Sequence, residues 1–500
     1  MSLELVDGGQ LTGAESASFD VVVVGSGPGG ATVARAVARG GASVAVVEEG
    51  ALHPPGRLPE DSFTAMARLY RDMGASVTRS PSPVPYVQGR AVGGTSVING
   101  AISWRLPQDV HAGWGSEDPE LQELLPWERV CQALDTVEAD LNIHPTDPAV
   151  AGPNNLLLAE GAAALGLEHR PIRRNVRGCV GSGRCLQGCP HGAKASMDGT
   201  YLPDACAAGA RIYARTRIDG IRLAERRDRA TGVTGVTAGG GRLTLSARRA
   251  VVLAASAVQT PALLWRSGVR SGPVGQGFQC HPGASMAGRF AQPVRVWRGA
   301  TQGHEVTGLR QEGLKFEALG YDMAMVAARQ KGVGAELSER IEDLAHWCNW
   351  GVAVRSEARG RVRPAGPREA VRWTPTEGDM RQVRKGVRVL GEMMLAAGAQ
   401  YVTPGVFGWH AQVEDPSVMA SFDEEGPLDP RAYALAVTHM FGTCRMASDP
   451  ARGVVRPDFR HHQVDGLYIA DSSVFPSNTG VNPQTSIIAL ASLCGEHVLG

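Results

Sequence analysis

Residues 20–50, DVVVVGSGPGGATVARAVARGGASVAVVEEG, decide the fold. Val21 to Val24 form an unbroken apolar run, the pattern of a parallel strand buried on both faces. Gly25, Gly27 and Gly30 then stand in GxGxxG spacing, with Pro28 and Gly29 between them. An alanine-rich amphipathic helix comes next, then a second apolar strand from Ser43 to Val47, ended by Glu48. Gly25 allows the tight turn, Gly27 lets backbone approach a pyrophosphate, and Gly30 lets helix pack on strand. The helix start offers free N–H groups and the positive end of its dipole to phosphate. Glu48 is placed to accept from ribose hydroxyls. It is preferred to Glu49 because it directly ends the strand. The unit marks a Rossmann-type dinucleotide site and does not by itself separate NAD from FAD.

Outward from that unit, the chain is 500 residues long and 43% hydrophobic, enough for two or three domains with sizeable cores. Lys plus Arg and Asp plus Glu number 50 each, so nothing favours nucleic acid or an acidic membrane. No run approaches the roughly 18 apolar residues of a membrane span, and the first twenty residues carry no basic head or apolar stretch. A cytoplasmic protein with reduced thiols is expected, since nine scattered cysteines do not form a disulfide framework.

Four further stretches occur in order. GRAVGGTSVINGAISWR (89–105), with Trp114 beyond it, resembles the first signature of the glucose-methanol-choline (GMC) oxidoreductases. VVLAASAVQTPALLWRSGV (251–269) and VGQGFQCHP (274–282) resemble the family's second signature and the segment after that signature. THMFGTCRM and GLYIADSSVFPSNTGVNPQTSIIALA resemble the C-terminal catalytic region. The resemblance implies FAD. It assigns Arg90, Gly94, Thr95, Asn99 and Gly100 to the flavin-side loop, Ile218 to adenine, and Asp471 and Ser472 to the pyrophosphate and ribityl chain. It places Asn482, Pro483 and Thr485 at the flavin pyrimidine edge. Some members bond the flavin covalently through a histidine where this chain has Ile98, so FAD is expected without a covalent link.

The same resemblance makes His439 and Asn482 the catalytic pair. An imidazole of ordinary pKa, roughly 6.5, can accept a hydroxyl proton near neutrality while hydride leaves the carbon. Asn482 can donate to the substrate oxygen as charge develops there. Asn482 before Pro483 also reads as the cap and first residue of a helix. The reaction implied is oxidation of a small-molecule alcohol, with oxygen or an external acceptor taking the electrons.

CVGSGRCLQGCP (179–190) stands apart. Laid on the ferredoxin pattern C-x2-C-x2-C-x3-C-P, it keeps Cys179, Cys185, Cys189 and Pro190 and has Ser182 where the second ligand belongs. Three thiolates suit a 3Fe-4S cluster, and the spacing resembles the three-iron site of FAD-dependent glucose dehydrogenases in the family. Structural zinc with His191, a disulfide, and buried thiols that bind nothing stay open beside it.

The expected architecture is mixed α/β and α+β. An FAD domain spans 18–290, with core segments 18–100 and 198–290 and a cysteine-rich insert near 170–198. A substrate domain with a mainly antiparallel sheet flanked by helices spans 291–427, and 428–500 returns to the FAD site. WGVAVRSEARGRVRPAGPREAVRW suggests paired strands, EGDMRQVRKGVRVLGEMMLAAGAQ a helix ending near Gly398, and SFDEEGPLDP a solvated loop. A polar middle region that includes Lys315, Glu317 and Asp322 leans the substrate toward a sugar, polyol or amino sugar; a sterol or long-chain alcohol is the alternative. A flavin-binding electron relay without catalysis is the competing class, and the intact His439 and Asn482 argue against it.

Overall fold

The computed structural model describes residues 3–330 and 332–500. The valine run lies at the centre of an eight-stranded sheet. Strand Ala14–Val24 pairs in parallel with Val44–Val47 on one side and Arg242–Leu253 on the other, Val21 standing opposite Val44. The parallel part continues outward through Arg211–Ala214 to Leu5–Asp7, and Leu467–Ile469 from the far end of the chain joins Arg242–Leu253 in parallel. Ala230–Thr237 and Thr216–Leu223 close one edge as antiparallel strands. Val21, Val22 and Val23 have no exposed surface, as expected of a strand covered on both faces. The helix Pro28–Arg39 packs on this sheet because Gly30 lets it approach. A Cβ there would lie 1.9 Å from the Gly25 carbonyl oxygen. The C-terminal helix Gln484–Leu499 lies beside it, with Gly495 against Ala36.

The second sheet has nine strands and only antiparallel pairs. Its character is the one expected, but its membership is wider than 291–427. Gln276–Arg289, expected in the FAD domain, is its central strand and pairs with four others. His169–Pro171 and Ala436–Phe441 also belong to it. The boundaries drawn at 290 and 427 therefore cut through one sheet: a strand is assigned by its partners, and these partners are distant in sequence. Gly360–Ala365 and Arg368–Arg372 form the expected hairpin. The expected helix is Glu377–Ala396, opened by a capping box between Thr376 and Asp379, and Met393 and Met394 are core residues. The first half of the acidic stretch differs from expectation, while residues 426–429 lie outside any helix or strand. Residues 416–425 form a helix with Asp415 capping Ser417 N–H (2.8 Å) and Pro416 in its first turn, a start signal that outweighs the charge. Among the described residues no helix is long and apolar enough to cross a membrane.

Candidate active site

Between the two sheets lies a cavity of about 1060 Å³, above the roughly 300–1,000 Å³ of ordinary ligand pockets. Its wall includes Gly25, Gly27, Pro28, Gly29, Glu48, Arg90, Gly94, Thr95, Asn99, Gly100, Ile218, Asp471, Ser472, Asn482 and Pro483, and His439 as well. Gly30 and Thr485 stand behind that wall. The early and late motifs thus meet at one place although they sit at opposite ends of the chain.

Three features fit a dinucleotide here. The two glycine turns touch: a Cβ on Gly94, whose φ is +58°, would lie 2.6 Å from Gly27 Cα. The helix Pro28–Arg39 has no side-chain cap and no acid in its first turn, so its N–H groups stay free for an anion. At the start of the C-terminal helix Gln484 Nε2, on the cavity wall, is buried without a partner, a state that calls for a ligand. Asn99 Nδ2 donates to Gln484 Oε1 and joins the flavin-side loop to that helix.

The acids on this wall are also bonded within the protein. Both oxygens of Glu48 already accept bonds, Oε2 from Ser26 N and Oγ (3.1 and 2.7 Å) and Oε1 from Gly50 N (2.8 Å). Burial raises its pKa. Asp471 accepts from Ser256 N, Thr260 Oγ1 and Ser473 N at 2.9, 2.6 and 2.8 Å. Each carboxylate braces a loop of the cavity wall that it also lines. Asn482 does not cap its helix. Pro483 is the cap residue, and the Asn482 side chain turns to the reacting centre.

That centre is built from three strands and the loop before the last helix. His439 stands on Ala436–Phe441, with Nε2 3.4 Å from Asn482 Nδ2. Its Nδ1 is 3.2 Å from Nδ1 of His281, a buried residue of the central strand Gln276–Arg289. Lys315 Nζ donates to Asn482 Oδ1 (2.8 Å) and is ion-paired with Glu305 (2.9 Å) and Glu317. His281 and the role of Lys315 went unread in the sequence. The signals present were a histidine in QCHP and a lysine and glutamate inside the otherwise apolar run LKFEA.

Burial, with the Lys315 charge adding to it, lowers the His439 pKa from 6.5 to about 3. The ordinary value assumed from sequence does not hold, because the ring is removed from water and faces a cation. The shift favours the neutral, proton-accepting form of His439, and anaerobic reduction of the cofactor by substrate should show no acid limb near pH 6.5. A limb centred there would mean an unperturbed imidazole. The unfolded chain binds the proton that the native site refuses, so the same shift makes stability fall as pH drops from 6.5 toward 3.

The cysteines do not form the expected metal site. Among the described residues no three His, Cys, Asp or Glu side chains converge on one ion, and all nine cysteines are free. The buried Arg174 guanidinium instead donates to Cys179 Sγ (3.5 Å) and Cys185 Sγ (3.3 Å). Lys194 Nζ donates to the carbonyls of Cys185, Val97 and Asn99 at 2.9, 2.6 and 2.9 Å. Cys179, Cys185 and Cys189, with or without His191, thus do not fit a single zinc ion. What the segment does is brace the Val97–Asn99 loop.

Two family models, both described as GMC oxidoreductase, match residues 66–283 and 356–491. The chain belongs to the GMC oxidoreductases. It is an FAD-dependent oxidoreductase. An uncharacterised GMC-type oxidoreductase of Mycobacterium tuberculosis is 35% identical over 96% of this chain and 76% of its own length. A long-chain-alcohol oxidase of Arabidopsis thaliana is 26% identical over 96% of this chain and 66% of its own. Paromamine 6'-oxidase of Streptomyces fradiae is 27% identical over 96% and 91%. Among solved structures, pyridoxine 4-oxidase from Mesorbium loti superposes with a TM-score of 0.73 at 17% identity, covering 95% of this chain and 98% of that one.

Proposed function

We propose that this GMC oxidoreductase oxidises the CH–OH group of a small polar alcohol to an aldehyde or ketone. FAD, held without a covalent link because Ile98 cannot form one, would supply the acceptor for the hydride when bound. Asn482 Nδ2 and His439 Nε2 flank the space for the substrate oxygen. Asn482 donates to that oxygen and His439 takes up the hydroxyl proton. The observation that carries this reading is the convergence of His439 and Asn482, 3.4 Å apart, on the wall of the cavity that holds the glycine turns.

The rest of that wall favours a polar substrate. Gln302, Glu317, Thr301, Tyr321 and Ser285 line it, and Gln302 Nε2 donates to Glu317 Oε2 at 2.7 Å. Polar side chains at a binding wall suit a hydroxylated molecule, which favours a sugar, polyol or amino sugar over a sterol or fatty alcohol. The test is anaerobic addition of amino sugars, neutral sugars, polyols, sterols and fatty alcohols to the yellow protein. Polar alcohols are expected to bleach the flavin spectrum and apolar ones to leave it unchanged. Bleaching by fatty alcohols alone would overturn the substrate class, and bleaching by none would overturn the reaction. Re-oxidation of the bleached protein with oxygen and with artificial dyes then identifies the acceptor.

A further inference from the structure

Lys315 lies in strand Leu314–Ala318, every residue of which is buried, and its own exposure is 1%. Its three N–H bonds are all used: two reach Glu305 and Glu317, and the third reaches Asn482 Oδ1. A buried ammonium is costly unless paired, and the two carboxylates already satisfy that need. Glu305 is further held by Trp104 Nε1 (2.7 Å) and Arg170 Nε (2.9 Å). The bond to a neutral carboxamide is therefore not explained by charge balance.

Its consequence is directional. An ammonium can only donate, so Asn482 must offer it the oxygen and turn the NH₂ group the other way, toward His439 Nε2. A carboxamide has two orientations of nearly equal shape, and only this one offers a donor to the substrate oxygen. We propose that Lys315 is a positioning residue that locks the Asn482 carboxamide with its NH₂ group facing the reacting oxygen. This rests on the alcohol-oxidising reading of the cavity. The Lys315 charge also opposes protonation of His439. The other groups with a charge to offer near the histidine pair are His281 itself and Arg355.

The test uses the full chain with FAD. K315M alone leaves two buried carboxylates facing each other, so K315M/E317Q, which removes one charge of each sign, is compared with E317Q. The double variant is expected to retain FAD. Its limiting rate of anaerobic flavin reduction should fall about 100-fold below that of E317Q, with apparent substrate affinity changed less than about threefold. An acid limb should enter its pH profile at higher pH, as His439 loses the neighbouring cation. Equal limiting rates and equal profiles in FAD-replete protein overturn the proposal. If no alcohol reduces even the wild type, the functional reading has failed and the carboxamide itself decides instead. In ¹⁵N-asparagine-labelled protein the Asn482 NH₂ signals, assigned by their loss in N482D, should be one sharp pair in E317Q and should shift and broaden in K315M/E317Q, where the bond to Asn482 Oδ1 is gone. Unchanged Asn482 signals overturn the proposal independently of substrate.

Discussion

Replacing His439 with Gln is expected to slow anaerobic flavin reduction by the substrate alcohol about 1,000-fold, while FAD content stays that of the wild type. Positioned acid–base groups contribute about 100- to 10,000-fold, and a thousandfold loss corresponds to about 4 kcal/mol of transition-state stabilisation. The ring is well placed for that share. It projects from a strand anchored in the antiparallel sheet, with His281 Nδ1 3.2 Å from its Nδ1 and the ring edge-on to His281 at 5.3 Å between centroids. Nε2 is the nitrogen left for substrate. Gln keeps most of the volume and one polar end but has no basic nitrogen to accept the hydroxyl proton, so the loss should fall on the limiting rate rather than on substrate affinity. A limiting rate within a few-fold of the wild type would remove His439 from the chemistry.

G27V should yield a folded, colourless protein. A Cβ built on Gly27 meets only Gly94 Cα, at 3.8 Å, an ordinary contact. The protein therefore has room for a side chain at this position. The room points into the cavity, where the pyrophosphate must reach the free N–H groups of the helix Pro28–Arg39. Branched methyl groups there block that approach, and FAD content should drop more than about tenfold. The contrast is G30A, which should lose stability instead, because its Cβ would meet the Gly25 carbonyl at 1.9 Å. Absorbance of bound flavin together with far-UV circular dichroism separates the outcomes. A G27V protein that binds FAD stoichiometrically would place the pyrophosphate elsewhere.

Much of the site was legible because its residues lie in short, ordered motifs. Apart from Gly30 and Thr485, the residues assigned to FAD from those motifs line one cavity. What misled was local context read without partners. The cysteine spacing looked like a ligand set, yet Arg174, from outside the motif, takes up two of the sulfurs. Asn482 before Pro483 looked like a helix cap, yet its side chain is claimed by a lysine 167 residues away. Strand Gln276–Arg289 looked like the end of the FAD domain and is the spine of the other sheet.

The sequence alone determined the nucleotide unit, the family, the glycine turns and the candidates for the reacting pair. Each of these is written in backbone periodicity or in residues close together in the chain. Only the tertiary structure decided the surroundings of His439, the orientation of Asn482, the contacts of Arg174 with the cysteines and the membership of the second sheet. Those depend on burial and on charges brought together from distant segments, and electrostatics in a water-poor interior acts through space, not along the chain.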